Sequence, residues 1–88
     1  MPDILVATDA VWVHDEVEAA LGGPDTTIRW VRHGMDVLPS VEASPPDLAV
    51  LDLQIGNMGG MAACMELHLE SSGGRIDRIP VLMLLDRP

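Results

Sequence analysis

Two carboxylates stand where carboxylates can do chemistry. Asp52 closes the run "PDLAVLD", in which Leu48, Ala49, Val50 and Leu51 are all apolar, the mark of a strand covered on both faces. A glycine-rich stretch, "IGNMGG", follows. Asp9 stands just past a second apolar run, "DILVAT". The carboxyl end of a buried parallel strand is where open α/β sheets place their ligands, so Asp52 is a reactive group or the remnant of one. Two carboxylates in one crevice offer hard oxygen ligands for a divalent cation. One of them can also serve as a nucleophile.

The elements that must hold these groups follow from apolar spacing. "DILVAT" (Asp3 to Thr8) reads as a buried strand. "VWVHDEVEAALGG" then places Val13, Val17, Ala20 and Leu21 at helical spacing, with Gly22 and Gly23 as the stop. "TTIRWV" (Thr26 to Val31) alternates Ile28 and Trp30 against Arg29, which suits a half-exposed strand at a sheet edge. Gly34 to Ala43 predicts a short helix, shortened or kinked by Pro39. "PPDLAVLDL" is the third strand. From Gly60 to Glu70 a helix is expected with Met61, Cys64, Met65, His68 and Leu69 on one stripe, ended by "SSGG". "IPVLMLLD" (Ile79 to Asp86) is a fourth strand whose run Val81 to Leu85 implies burial on both faces.

The order β-α-β-α-β-α-β, with short connections and no repeat, predicts a doubly wound parallel sheet. In the flavodoxin-like order 2-1-3-4-5 the first and third strands are neighbours, and the switch point lies between them. Asp9 and Asp52 therefore converge at one crevice.

Bulk properties narrow the function. Eighty-eight residues make one domain at most, near the small end of what a single core sustains. Fourteen Asp and Glu against five Arg, with no Lys, give a net charge of −9, which repels phosphate backbones and anionic headgroups. Nucleic acid is not expected as a partner. Tyr and Phe are absent and two Trp are present, so the core must be built from aliphatic residues and Met. One cysteine, Cys64, allows no internal disulfide, which fits a reducing cytoplasm. No apolar run approaches the roughly 18 residues of a membrane span, and "MPDILVATD" lacks the basic start of a signal peptide. A soluble cytoplasmic chain is expected, at most peripheral to a membrane complex.

With these residues in order, the sequence resembles the receiver domain of bacterial two-component response regulators. The family's "ILVVDD" stands here as "ILVATD", and its "PDLVLLDLxMPxMDG" as "PDLAVLDLQIGNMGG". The match runs from Ile4 to Gly60 and resumes from Ile79 to Leu85. The resemblance implies that Asp52 occupies the phosphoacceptor position and Asp9 that of a metal-binding acid. It also implies that the backbone carbonyl of Gln54 completes a magnesium site, so a weakly held Mg²⁺ at Asp9, Asp52 and Gln54 is the expected cofactor.

The departures from the family are as informative. Thr8 stands where the family has its first acid, Gly56 replaces a proline, and Gly59 replaces a frequent acid. Leu85 stands at the switch position, where the family carries Ser or Thr. The resemblance implies one receiver-like domain over 1–88, incomplete at its carboxyl end, since a complete receiver runs to roughly 120 residues. Its last strand, with the family's Lys, and its last helices are expected to be absent from this chain. The expected function is an atypical receiver that binds protein without a working phosphorylation switch, and no enzyme activity is expected. The alternatives are a receiver that accepts phosphate on Asp52 from a histidine kinase, and an accessory subunit of a larger assembly such as the proton-pumping NADH:quinone oxidoreductase. An open sheet face and an apolar edge at Val81 to Leu85 are expected to be covered by another polypeptide.

Other candidates read as structural. His14, His33 and His68 fall on different elements at no ligand spacing. Met61, Cys64 and Met65 read as core filling, and Asp15, Glu16 and Glu18 as a solvated helix face. "TDAVWVHD" has neither the Ser/Thr-rich loop of an FMN site nor the glycines of a dinucleotide site. It also lacks the Asp-x-His-x-x-Gly of a cobalamin domain.

Overall fold

The apolar runs of the sequence become strands because each can bury side chains on both sides of one sheet. A computed structural model of the chain describes residues 2–52, 55, 60–74 and 79–84. Gln54, Gly56, Gly59 and Leu85 lie outside the described residues, as does the side chain of Met61. The elements are β1 (Asp3–Ala7), α1 (Val11–Leu21), β2 (Thr27–Val31), a 3-10 turn (Gly34–Asp36), α2 (Val37–Ala43), β3 (Leu48–Asp52), α3 (Gly60–Ser72) and β4 (Val81–Leu84). The strands form one sheet in the order β2-β1-β3-β4, every pair parallel. This is the expected flavodoxin-like order, with β2 at an edge.

Alternation along the strands divides the core in two. Leu5, Ala7, Ala49 and Leu51 face α2 and α3, where they pack with Val37, Val41, Ala63 and Leu67. Ile4, Val6 and Val50 face the other way and meet Val17 of α1. Each fully buried Leu or Val contributes about 1.5–3 kcal/mol relative to exposure.

Local chemistry sets where the helices begin and end. At the end of α1 the amide of Gly22 donates to the carbonyl of Glu18 at 2.8 Å. A Cβ at Gly22 would collide with that same carbonyl, so the close approach requires glycine. Pro39 acts as expected in shortening its element: a 3-10 turn precedes α2, and Pro39 is the third residue of the helix proper. There its missing N–H costs nothing, because amides of the first turn have no partner within the helix. Gly74, just past α3, takes φ of 76°, the left-handed conformation that favours glycine after a helix end.

Arg29 ties the amino end of the sheet to α2. Its Nε donates to Asp3 Oδ1 at 3.0 Å, its Nη1 to Ser40 Oγ at 3.3 Å, and its Nη2 to the Ser44 carbonyl at 2.6 Å. Beside it, the Asp3 amide donates to Asp47 Oδ2 and the Asp47 amide to the Asp3 carbonyl, at 2.8 and 2.7 Å. These contacts fix the entries to β1 and β3 far from the carboxyl ends.

Two expectations about burial are corrected. Among the described side chains of α3 the buried ones are Ala63 and Leu67, while Met65 and Leu69 are 59% and 61% exposed and Cys64 is half-buried. The contact stripe is therefore rotated from the expected one: a helix lying flat on a sheet puts a small residue where the backbones approach, and Ala63 is that residue. The second correction concerns β4, whose apolar run implied burial on both faces but which lies at the open edge that the strand order also implied. Its described residues are half-buried or exposed, with Leu82 48% exposed. Val81 and Met83 pack against the α2–α3 core and Leu84 against the α1 side, while Leu82 lines a cavity between β4 and α1.

Candidate functional site

The register of β1 against β3 assembles the site. Ala7 lies opposite Leu51, so Thr8 comes beside Asp52 at the carboxyl ends of the two central strands, and Asp9 is the next residue outward. Thr8 is fully buried and Asp52 is 1% exposed, whereas Asp9 is exposed.

Thr8 does more than remove a charge. Its Oγ1 donates to Asp52 Oδ2 at 2.8 Å and accepts the Ala10 amide at 3.1 Å. Its own amide donates to the Val31 carbonyl at 3.1 Å, and its carbonyl accepts the Trp30 indole N–H at 2.9 Å. A buried carboxylate needs such donors, since desolvating it without them is costly. The Asp52 backbone is anchored as well: its carbonyl accepts the Ile55 amide at 3.1 Å.

Asp52 also lines a cavity of about 340 Å³ between α1 and β4, together with Trp12, Val17, Val50, Leu82 and Leu84. The site therefore opens toward the less covered side of the sheet.

Chemically, the arrangement presents one carboxylate with a neutral donor on it and a second, exposed carboxylate one residue beyond that donor. Asp52 ends β3 and Asp9 lies two residues past the end of the adjacent β1, and Gln54 and Leu85 lie outside the described residues. The three histidines are dispersed: His14 is on α1, His33 just before the 3-10 turn, and His68 on α3. Among the described residues no three His, Cys, Asp or Glu side chains form a group suited to a metal ion. Trp30 and His14 were missed as neighbours of the site. The signal available was composition: an indole on an edge strand has a polar N–H that must find a partner when it is partly buried.

The fold is found in solved proteins. The chain is similar to the N-terminal domain of a response regulator receiver protein from Methanoculleus marisnigri, with 29% identity and a TM-score of 0.77 over 98% of this chain and 68% of that one. It carries the response regulator receiver fold. The fold also superposes on the signal receiver domain of a histidine kinase from Syntrophus aciditrophicus, with a TM-score of 0.81 over the whole chain and 66% of that one, at 24% identity. In sequence, 54 residues are 37% identical to the transcriptional regulatory protein BaeR of Escherichia coli O6:H1. That match takes in 61% of this chain and 20% of BaeR. No protein-family model matches the sequence. Among the described residues no helix is long and apolar enough to cross a membrane.

Proposed function

We propose that this receiver is a regulatory module that works by binding a protein partner and does not run a phosphorylation switch through Asp52. The observation that supports this reading is the Thr8 hydroxyl on Asp52 Oδ2. Where the family carries an acid, Thr8 supplies no charge for a cation and engages an oxygen of the would-be nucleophile. Phosphoryl transfer to a carboxylate requires a cation to neutralise the incoming oxygens and a nucleophile free to attack in line. Asp9, Asp52 and the Gln54 carbonyl remain as ligands for a weakly held Mg²⁺, which keeps several waters in such sites. Leu85 brings no hydroxyl to the switch position.

The partner in this reading is a protein surface with apolar groups flanked by Arg or Lys, matched to a chain of net charge −9 and to the apolar side of the sheet beside α1. A histidine kinase or a large multi-subunit assembly are the partner classes that the family resemblance offers.

A second reading, phosphate acceptance on Asp52, is favoured by the position of that carboxylate at the end of β3 and on the wall of the cavity beside α1. One experiment decides between them. The protein is incubated with acetyl phosphate and Mg²⁺ and its intact mass is measured. In the second reading an Asp52 oxygen attacks phosphorus, a P–O bond forms, and acetate leaves. We expect no mass gain; the gain of one phosphoryl group, lost in Asp52→Asn, overturns the first reading in favour of the second.

A further inference from the structure

Trp30 lies at the fourth position of β2, opposite Val6, and does more than pack across the strands. The pairing of β1 with β2 ends at Ala7 opposite Val31. Just beyond, where the ladder stops, the indole N–H takes the Thr8 carbonyl at 2.9 Å. A side chain thus supplies a donor at the point where backbone pairing ends.

The ring is held by other groups. The His14 imidazole of α1 stacks on it, with centroids 4.3 Å apart and planes inclined by 16°. The Arg32 guanidinium lies 4.7 Å from the ring centroid, within cation–π range. His14 in turn lies against acidic neighbours, Nδ1 at 3.2 Å from Asp15 Oδ1 and Nε2 at 3.5 Å from Glu18 Oε2. With the imidazole stacked on the ring, the guanidinium over it and its N–H committed, the indole has few positions open to it.

Thr8 is held by this indole on one side and meets Asp52 on the other. Its amide, carbonyl and hydroxyl are all engaged, and the peptide plane that carries the carbonyl cannot turn without breaking the indole contact. A hydroxyl that must reach a buried carboxylate at 2.8 Å depends on that plane, because the hydrogen bond weakens steeply with misalignment.

We propose that Trp30 is a positioning residue for the Asp52 site. It acts through Thr8: the indole N–H sets the Thr8 peptide, and the peptide sets the hydroxyl that Asp52 receives. The coupling runs both ways, so a change at the Asp52 carboxylate is returned to the indole and, through the stack, to His14 on the α1 surface. This deepens the proposed function, resting on the reading that the Asp52 site is where this receiver is controlled.

The test uses the indole N–H resonance of Trp30 in ¹H–¹⁵N spectra of the intact chain, assigned by its loss in Trp30→Phe. The probe variant is Thr8→Val, which keeps the Thr8 carbonyl that the indole bonds and removes only the hydroxyl. A purely structural Trp30 has no reason to respond to it. We expect the resonance to move and the solvent exchange of the indole proton to rise by roughly fivefold, the equilibrium worth of one ordinary hydrogen bond. Asp52→Asn, which keeps the size and an acceptor oxygen, is expected to shift the same resonance with less gain in exchange. An unchanged indole signal in both variants overturns the proposal. Should Thr8→Val fail to fold, judged by the loss of a cooperative melt, Asp52→Asn alone decides it. Mg²⁺ is then titrated in parallel by calorimetry. Heat of binding with an unmoved Trp30 signal overturns the coupling while leaving the metal site standing. No heat removes the metal site from the proposed function, and the variant spectra still decide the role of Trp30.

Discussion

Leu51 and Leu82 are one strand apart, yet Leu51 is fully buried and Leu82 is 48% exposed. They point to opposite faces. Among the described residues the face toward α2 and α3 holds nine buried residues, including Leu5, Val37, Val41 and Leu51, whereas the face toward α1 holds Ile4, Val6, Val17 and Val50. Beside that smaller set lies the cavity that reaches Asp52. The difference separates two jobs. One face supplies the burial that folding requires, and the other leaves apolar groups and the wall of the carboxylate site within reach of a partner.

The largest expected effect tests the closed face. Leu51→Ala should cost about 2–5 kcal/mol in urea denaturation, as large-to-small changes in a packed core do. That is a large part of a typical total of about 5–15 kcal/mol. A loss below about 1 kcal/mol would mean that the α2–α3 side is loosely packed and that the two faces do not differ in kind.

The next effect is polar and sits at the boundary between the faces. Thr8→Val preserves shape but leaves the buried Asp52 carboxylate without the Thr8 donor and the Ala10 amide without its acceptor. Hydrogen bonds to charged groups contribute about 1.5–3 kcal/mol, so a loss in that range is expected from chemical denaturation. A neutral result would mean that water or another group replaces the hydroxyl. It would also remove the reason to treat Thr8 as more than an absent acid.

How much of this was legible in the sequence depended on the kind of signal. Strand identity and order followed from apolar runs such as Leu48 to Leu51, because burial on both faces of a parallel strand leaves a continuous pattern. The α3 stripe was misread because hydrophobicity favours Met65 and Leu69, while the sheet selects by size and takes Ala63. β4 was read two ways: the run Val81 to Leu85 alone implied burial on both faces, while the strand order left it an open apolar edge, and its described residues follow the second because the cover on each face is a tertiary property. At the site, position was readable from the alternation of strands and helices, which put Asp9 and Asp52 at adjacent strand ends. The Thr8 hydroxyl bond and the Trp30 anchor were not readable. Both depend on the register of three strands and on which way a side chain turns at a strand end.

A smaller effect is expected at the opposite end of the strands. Arg29 joins Asp3, Ser40 and Ser44, capping carbonyls at the carboxyl end of α2. Its side chain is 26% exposed, as is that of Asp3, so solvent screens part of the attraction. Arg29→Met keeps the aliphatic stem and should cost about 1 kcal/mol. In contrast to Thr8→Val, it should leave the Trp30 indole resonance where it is. A shift of that resonance would mean that the two ends of the strands are coupled and that Arg29 belongs to the site as well as to the fold.

The smallest effect bears on the open face. Leu82→Thr keeps a residue suited to a strand and removes an exposed apolar side chain, so the isolated chain should change in stability by about 0.5 kcal/mol or less, as exposed substitutions do. The comparison with Leu51 is sharpened by measuring both variants at low and high protein concentration. If the α1 side is open in solution, the Leu82→Thr effect stays small at every concentration, while that of Leu51→Ala stays large. If a second copy covers this side, Leu82→Thr becomes costly as concentration rises, because association stabilises the folded state by mass action. Light scattering on the same samples would then report a dimer for the parent chain and a monomer for the variant. That outcome would make the open face an interface between copies and replace the proposed heterologous partner.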